Sequence, residues 1–102
     1  MTKLPGSIFQ MRGLKKLQVQ NGPLNELHEE LGAYLQRLTV FDVTNNKLTK
    51  FPKSFSNVPY LTLSNNKLNN IPKEIWWSEK VCQFYIDNNN ISFIHSNIKN
   101  AK

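Results

Sequence analysis

The sequence predicts an α/β repeat fold, built from units of 20–24 residues that each hold a short strand, a tight corner and a return segment. Three observations predict it. Strand-and-corner segments recur almost unchanged, as Phe41-Asp42-Val43-Thr44-Asn45-Asn46-Lys47-Leu48, Leu61-Thr62-Leu63-Ser64-Asn65-Asn66-Lys67-Leu68 and Phe84-Tyr85-Ile86-Asp87-Asn88-Asn89-Asn90-Ile91. A second half recurs between them, as Phe51-Pro52-Lys53-Ser54-Phe55 and Ile71-Pro72-Lys73-Glu74-Ile75. The two halves alternate in register, and self-similarity at a period of roughly 20–50 residues marks a solenoid or array.

Taken in chain order, Leu4-Pro5-Gly6-Ser7-Ile8 reads as the second half of a unit without its strand, so residues 1–13 form a partial repeat. A worn copy of the first half follows as Leu14-Lys15-Lys16-Leu17-Gln18-Val19-Gln20-Asn21-Gly22-Pro23-Leu24. With it, an L-x-x-L-x-L-x-x-N-x-L template begins at Leu14, Leu38, Val58 and Val81, at spacings of 24, 20 and 23 residues. Alternating apolar residues within each template predict a strand with one face to the core and the other to solvent. At the corner, asparagine can satisfy backbone groups left unpaired by the turning chain, and it tolerates unusual backbone angles. Asn46, Asn66 and Asn89 should therefore stack as a ladder. Gly22 permits the turn but has no amide, which predicts a looser first corner. Proline opening a return fixes φ and donates no ladder bond, suiting an irregular or 3-10 segment.

Two returns depart from this pattern. Leu27-His28-Glu29-Glu30-Leu31 has no proline and reads as helical; the repeat from Leu38 is short, so Val58 should close one unit and open the next. Ile94-His95-Ser96-Asn97-Ile98 repeats the return half once more. No cap is recognisable at either end, and solenoids need capped ends to shield the core. The expectation is a fragment of a longer array, or self-association through uncapped ends.

With four templates in register and the L-P-x-x-[IF] return, the chain resembles the leucine-rich repeat family over about residues 4–98. It is similar in particular to the intracellular class found in Ras-pathway and cell-polarity scaffolds. The resemblance implies one leucine-rich repeat domain over 1–102: a curved solenoid, with a short parallel sheet on the concave face and irregular, 3-10 or short helical segments on the convex face. It also implies a concave surface that holds a protein partner. Its solvent-facing positions are Lys16, Gln18, Gln20 and Asn21; Val40, Asp42, Thr44 and Asn45; Tyr60, Thr62, Ser64 and Asn65; and Gln83, Tyr85, Asp87 and Asn88. Tyr60 and Tyr85 read either as binding hot spots or as cross-strand pairs that stabilise the sheet.

Composition narrows the function classes. The chain carries 13 Lys and Arg against 7 Asp and Glu, a net charge of +6. Lys47, Lys50, Lys53, Lys67 and Lys73 fall on corners and loops, forming a basic edge and leaving the groove without a basic lining. That edge is a second candidate surface, for nucleic acid or anionic lipid, although no aromatic residues interleave with it as a single-strand platform requires. Enzyme chemistry lacks parts. His28 and His95 occupy return positions, His28-Glu29-Glu30 has no second ligand at metal-binding spacing, Cys82 has no base supplied by the pattern, and the four glycines are scattered. No cofactor or metal is expected; catalysis would belong to a larger signalling enzyme, a kinase or ubiquitin ligase, of which this chain is the recognition arm. Trp76-Trp77 is expected to place one ring in the core and to leave the other for the surface. The lone cysteine and the absence of an apolar block behind Lys3 favour a cytoplasmic setting, and no apolar run approaches a membrane span.

Overall fold

The structure is a computed structural model and describes residues 2–91. Four three-residue strands, β1 (Lys16–Gln18), β2 (Val40–Asp42), β3 (Tyr60–Thr62) and β4 (Gln83–Tyr85), form one parallel sheet in chain order. Pairing is in register throughout: Leu17 opposes Phe41, Phe41 opposes Leu61, and Leu61 opposes Phe84. Template periodicity sets this register, because a slip of one residue would turn every apolar side chain to solvent. Phe41, Leu61 and Phe84 are buried as the alternation requires, whereas Leu17, on the first strand, is half-buried.

Short turns of helix line the opposite side. They are a 3-10 helix over Gly6–Gln10, α1 (Leu31–Tyr34), a 3-10 helix over Lys53–Asn57 and α2 (Lys73–Trp76). Pro5, Pro52 and Pro72 each cap the segment that follows, with extended ψ of 151°, 142° and 143°. The expected helix at Leu27–Leu31 instead begins at Leu31. His28 Nδ1 accepts the Glu30 backbone N–H at 3.1 Å, which holds Glu29 and Glu30 in a turn and delays the helix. Return segments pack closely: Ser54 Oγ accepts the Gly32 N–H at 3.0 Å, and a Cβ on Gly32 would run into the Ser54 carbonyl.

Between sheet and returns lies one apolar core. Phe41 and Phe55 stack with ring centroids 4.4 Å apart, and Phe51 packs 5.1 Å from Phe55. Val58 is buried at the end of its return, two residues before β3. Trp76 is the core member of the tryptophan pair: its Nε1–H donates to the Ile71 carbonyl at 2.9 Å and its ring meets Phe84 edge-on at 5.5 Å. Trp77 is 53% exposed.

Candidate functional site

The strands align their outward residues in rows. Lys16, Val40, Tyr60 and Gln83 form one row; Gln18, Asp42, Thr62 and Tyr85 form the next. Past the strands the pairing carries on, because Val19, Val43 and Leu63 N–H groups donate to the Asp42, Thr62 and Tyr85 carbonyls at 2.8–2.9 Å. Gln20, Thr44, Ser64 and Asp87 therefore make a third row. Adjacent members of a row stand about 4.8 Å apart, so the face is roughly 15 Å across.

Most of the expected positions are open. Lys16, Gln18, Gln20, Tyr60, Gln83 and Asp87 are exposed, while Asp42, Thr44, Thr62 and Tyr85 are half-buried. Ser64 is the exception. It is buried at 8% exposure, since its hydroxyl donates to Asp87 Oδ1 at 2.5 Å and the neighbouring carboxylate covers it. Tyr60, at 42% exposure, is the large apolar ring of this face, standing between Val40 and Gln83 in its row. Tyr85 is turned toward its own strand, its hydroxyl donating to Gln83 Oε1 at 3.2 Å.

Hydrogen bonds fix the acidic groups in place. Asp42 Oδ1 accepts from the Thr44 backbone N–H at 3.0 Å and from Thr44 Oγ1 at 2.6 Å; Oδ2 accepts from Gln20 Nε2 at 2.5 Å. Burial on its own raises the Asp42 carboxyl, but the bonds from Thr44, Gln20 and Gln18 outweigh it and hold the group below its usual value. Asp42 is thus ionised and oriented, with its lone pairs largely engaged inside the sheet.

The asparagine ladder forms as expected and is more specific than its spacing shows. Asn66 Nδ2 donates to the carbonyl of Leu63 in its own unit and of Val43 in the preceding one, both at 3.0 Å, and Oδ1 accepts the Leu48 N–H. Asn46 and Asn89 repeat this arrangement, accepting the Leu24 and Leu68 N–H groups. The unusual backbone angle falls one residue earlier than expected, on Asn21, Asn45, Asn65 and Asn88, whose φ values are 58–59°. Gly22 has no positive φ, so its corner turns on Asn21 and does not draw on glycine's freedom. The doubled Asn-Asn was the signal for a left-handed residue.

Lys47, Lys50, Lys53, Lys67 and Lys73 are all exposed, and the ion pair among the described residues, Lys3 with Glu26 at 3.6 Å, lies away from them. His28 is exposed, with Phe9 edge-on to its ring, and Cys82 is exposed beside β4. Among the described residues no three His, Cys, Asp or Glu side chains gather as a metal-holding group, and no helix is long and apolar enough to cross a membrane. His95 and the Ile94–Ile98 return lie outside the described residues.

A family model described as leucine rich repeat matches residues 12–68, more than half of the chain. No curated protein sequence matches it. Among solved structures, a chain from the crystal structure of the BIR3–SERK2 complex from Arabidopsis thaliana superimposes with a TM-score of 0.81 at 22% identity, over 98% of this chain. The match spans 61% of that longer chain, and at this identity the likeness is one of fold.

Proposed function

Because the chain belongs to the leucine-rich repeat family, we propose that it is an interaction module which holds a protein partner against the concave face of its sheet. The role is binding, with no chemical step. One observation carries the reading: Tyr60 stands 42% exposed in the first row of the face, between Val40 and Gln83, and polar groups of the rows beyond it are already tied into fixed positions. An exposed ring beside oriented carboxylates and amides offers contact area at small ordering cost, which is how binding hot spots work. The contact set is Lys16, Gln18, Gln20, Asp42, Thr44, Tyr60, Thr62, Gln83, Tyr85 and Asp87, with Ser64 acting beneath it by orienting Asp87. That the neighbour of similar fold was solved in the BIR3–SERK2 complex is in keeping with such a role.

The test is quantitative capture of the partner by the wild-type chain and by Tyr60→Ala and Tyr85→Ala variants. A hot-spot tyrosine contributes about 2 kcal/mol or more, so Tyr60→Ala should weaken capture by roughly thirtyfold. Far-UV circular dichroism should stay unchanged. Undiminished capture by both variants would move the contact off the concave face.

A further inference from the structure

A second surface lies on the flank between the asparagine corners and the convex side. Lys47 and Lys67 hold equivalent places directly after Asn46 and Asn66; Lys53 and Lys73 hold equivalent places directly after Pro52 and Pro72. With Lys50 they make five exposed ammonium groups on two consecutive units of the array. None of the five takes part in an ion pair among the described residues.

An indole ring stands one helical turn from Lys73. The Trp77 N–H donates to the Lys73 carbonyl at 2.9 Å, a bond from residue i to i−4 that puts the C-cap of α2 one turn on from Lys73. Trp77 is 53% exposed while Trp76 beside it is 3% exposed, so α2 sinks its last residue's indole into the core and its C-cap presents the other outward. Glu74 and Glu79 are exposed nearby and Lys80 offsets one of them, which leaves the flank with a clear surplus of positive charge.

We propose that this flank docks on the surface of an anionic bilayer, with the lysines facing lipid headgroups and the Trp77 ring lodged at headgroup level. Lysine is a compact point charge suited to a diffuse anionic plane, whereas directional recognition of phosphate or base edges favours arginine. The arginines lie elsewhere: Arg12 sits over the Tyr34 ring at 5.7 Å, and Arg37 follows α1. Indole rings prefer the membrane–water interface. Nucleic acid would answer the lysines but leave the indole without a role. Among the described residues the other large exposed aromatics, Tyr34 and Tyr60, belong to α1 and β3, so α2 and its cap present one exposed indole and no row of stacking rings.

The experiment is co-sedimentation of the whole chain with vesicles of phosphatidylcholine alone, or of phosphatidylcholine with a minority of phosphatidylserine, at low and high salt. Binding is expected on the anionic vesicles only, with release at high salt. Each of Lys53→Gln, Lys67→Gln and Lys73→Gln should weaken it by about fivefold, the equivalent of roughly 1 kcal/mol per lysine near the surface. Tryptophan emission should shift to the blue on binding, and the shift should vanish in Trp77→Ser. Equal binding to neutral vesicles, or no binding to anionic ones, overturns the proposal. So does lysine-dependent binding of a DNA duplex by a chain that ignores vesicles. Tyr60→Ala should bind vesicles like the wild type, which separates this surface from the concave one.

Discussion

Replacing Asn66 with aspartate exchanges one amide nitrogen for an oxygen and leaves the shape of the side chain almost unaltered. In the native chain that nitrogen donates to the Val43, Leu63 and Ser64 carbonyls at 3.0, 3.0 and 3.2 Å, inside a corner where Asn66 is 7% exposed. Alanine at this position strands the buried Leu48 N–H and costs about 1–3 kcal/mol. The cost stops there because Asn46 Nδ2 still reaches Val43 O at 2.9 Å, Asn89 Nδ2 reaches Leu63 O at 3.0 Å, and the Asn45 N–H reaches Ser64 O at 3.0 Å. Aspartate keeps the acceptor for Leu48 but turns a charged oxygen on three carbonyls, and an uncompensated buried charge costs roughly 3–5 kcal/mol. Against a total stability of about 5–15 kcal/mol for a chain of this size, Asn66→Asp should remove a large share. The introduced carboxyl should have a raised pKa in the folded state, because the protonated acid can donate where the anion cannot. The penalty is then full above the folded-state pKa, fades as the pH falls through it, and is absent below the unfolded value. Urea denaturation of the wild type, Asn66→Ala and Asn66→Asp at neutral and mildly acidic pH reads this directly. Equal stabilities for the two variants at neutral pH, or a gap between them that acid does not narrow, would refute donation by the amide as the source of the corner's stability.

Gly32→Ala should destabilise by about 1–3 kcal/mol through overpacking, since the new Cβ would stand 2.8 Å from the Phe55 nitrogen and closer still to Ser54. Gly13→Ala, with nothing within 4 Å of its Cβ, is the control, and paired thermal melts should show a drop of several degrees only for Gly32→Ala. Asp42 has a folded-state pKa lowered from 3.8, so it contributes stability above the unfolded value, and that contribution is lost as the pH falls through the folded pKa. The stability difference between wild type and Asp42→Asn should accordingly be present at neutral pH and shrink in strong acid; a difference unchanged across that range would contradict the assigned hydrogen bonds.

Features that depend on local order were legible in the residues. Alternation at Phe41-x-Val43 and its copies is enough to choose the buried face, because a strand has only two faces. Asparagine at 46, 66 and 89 announces a backbone need that recurs at each corner, and the ladder follows. What stayed hidden depends on contacts across units. Ser64 looks like any outward strand residue until the Asp87 carboxylate, 23 residues away, closes over it. Glu29 and Glu30 favour helix in isolation, and only the His28 imidazole taking the Glu30 N–H holds them in a turn. The tryptophan pair announces one buried ring, but the choice of Trp76 rests on the Ile71 carbonyl being within reach of its indole. The proposed concave contact set shares that limit, since exposure at Tyr60 is a property of the assembled face.

The corner amides also give the array a direction. Asn46 secures the Leu24 N–H, Asn66 that of Leu48, and Asn89 that of Leu68, so each unit is latched by the one after it, like tiles laid to overlap one way. Gly22 has no amide to extend toward anything before it. Losing a later tile unlatches its predecessor, while losing an earlier one leaves the later corner's bonds to its own carbonyls intact. Hydrogen exchange at Leu24, Leu48 and Leu68 should therefore report on the folding of the unit that follows each of them.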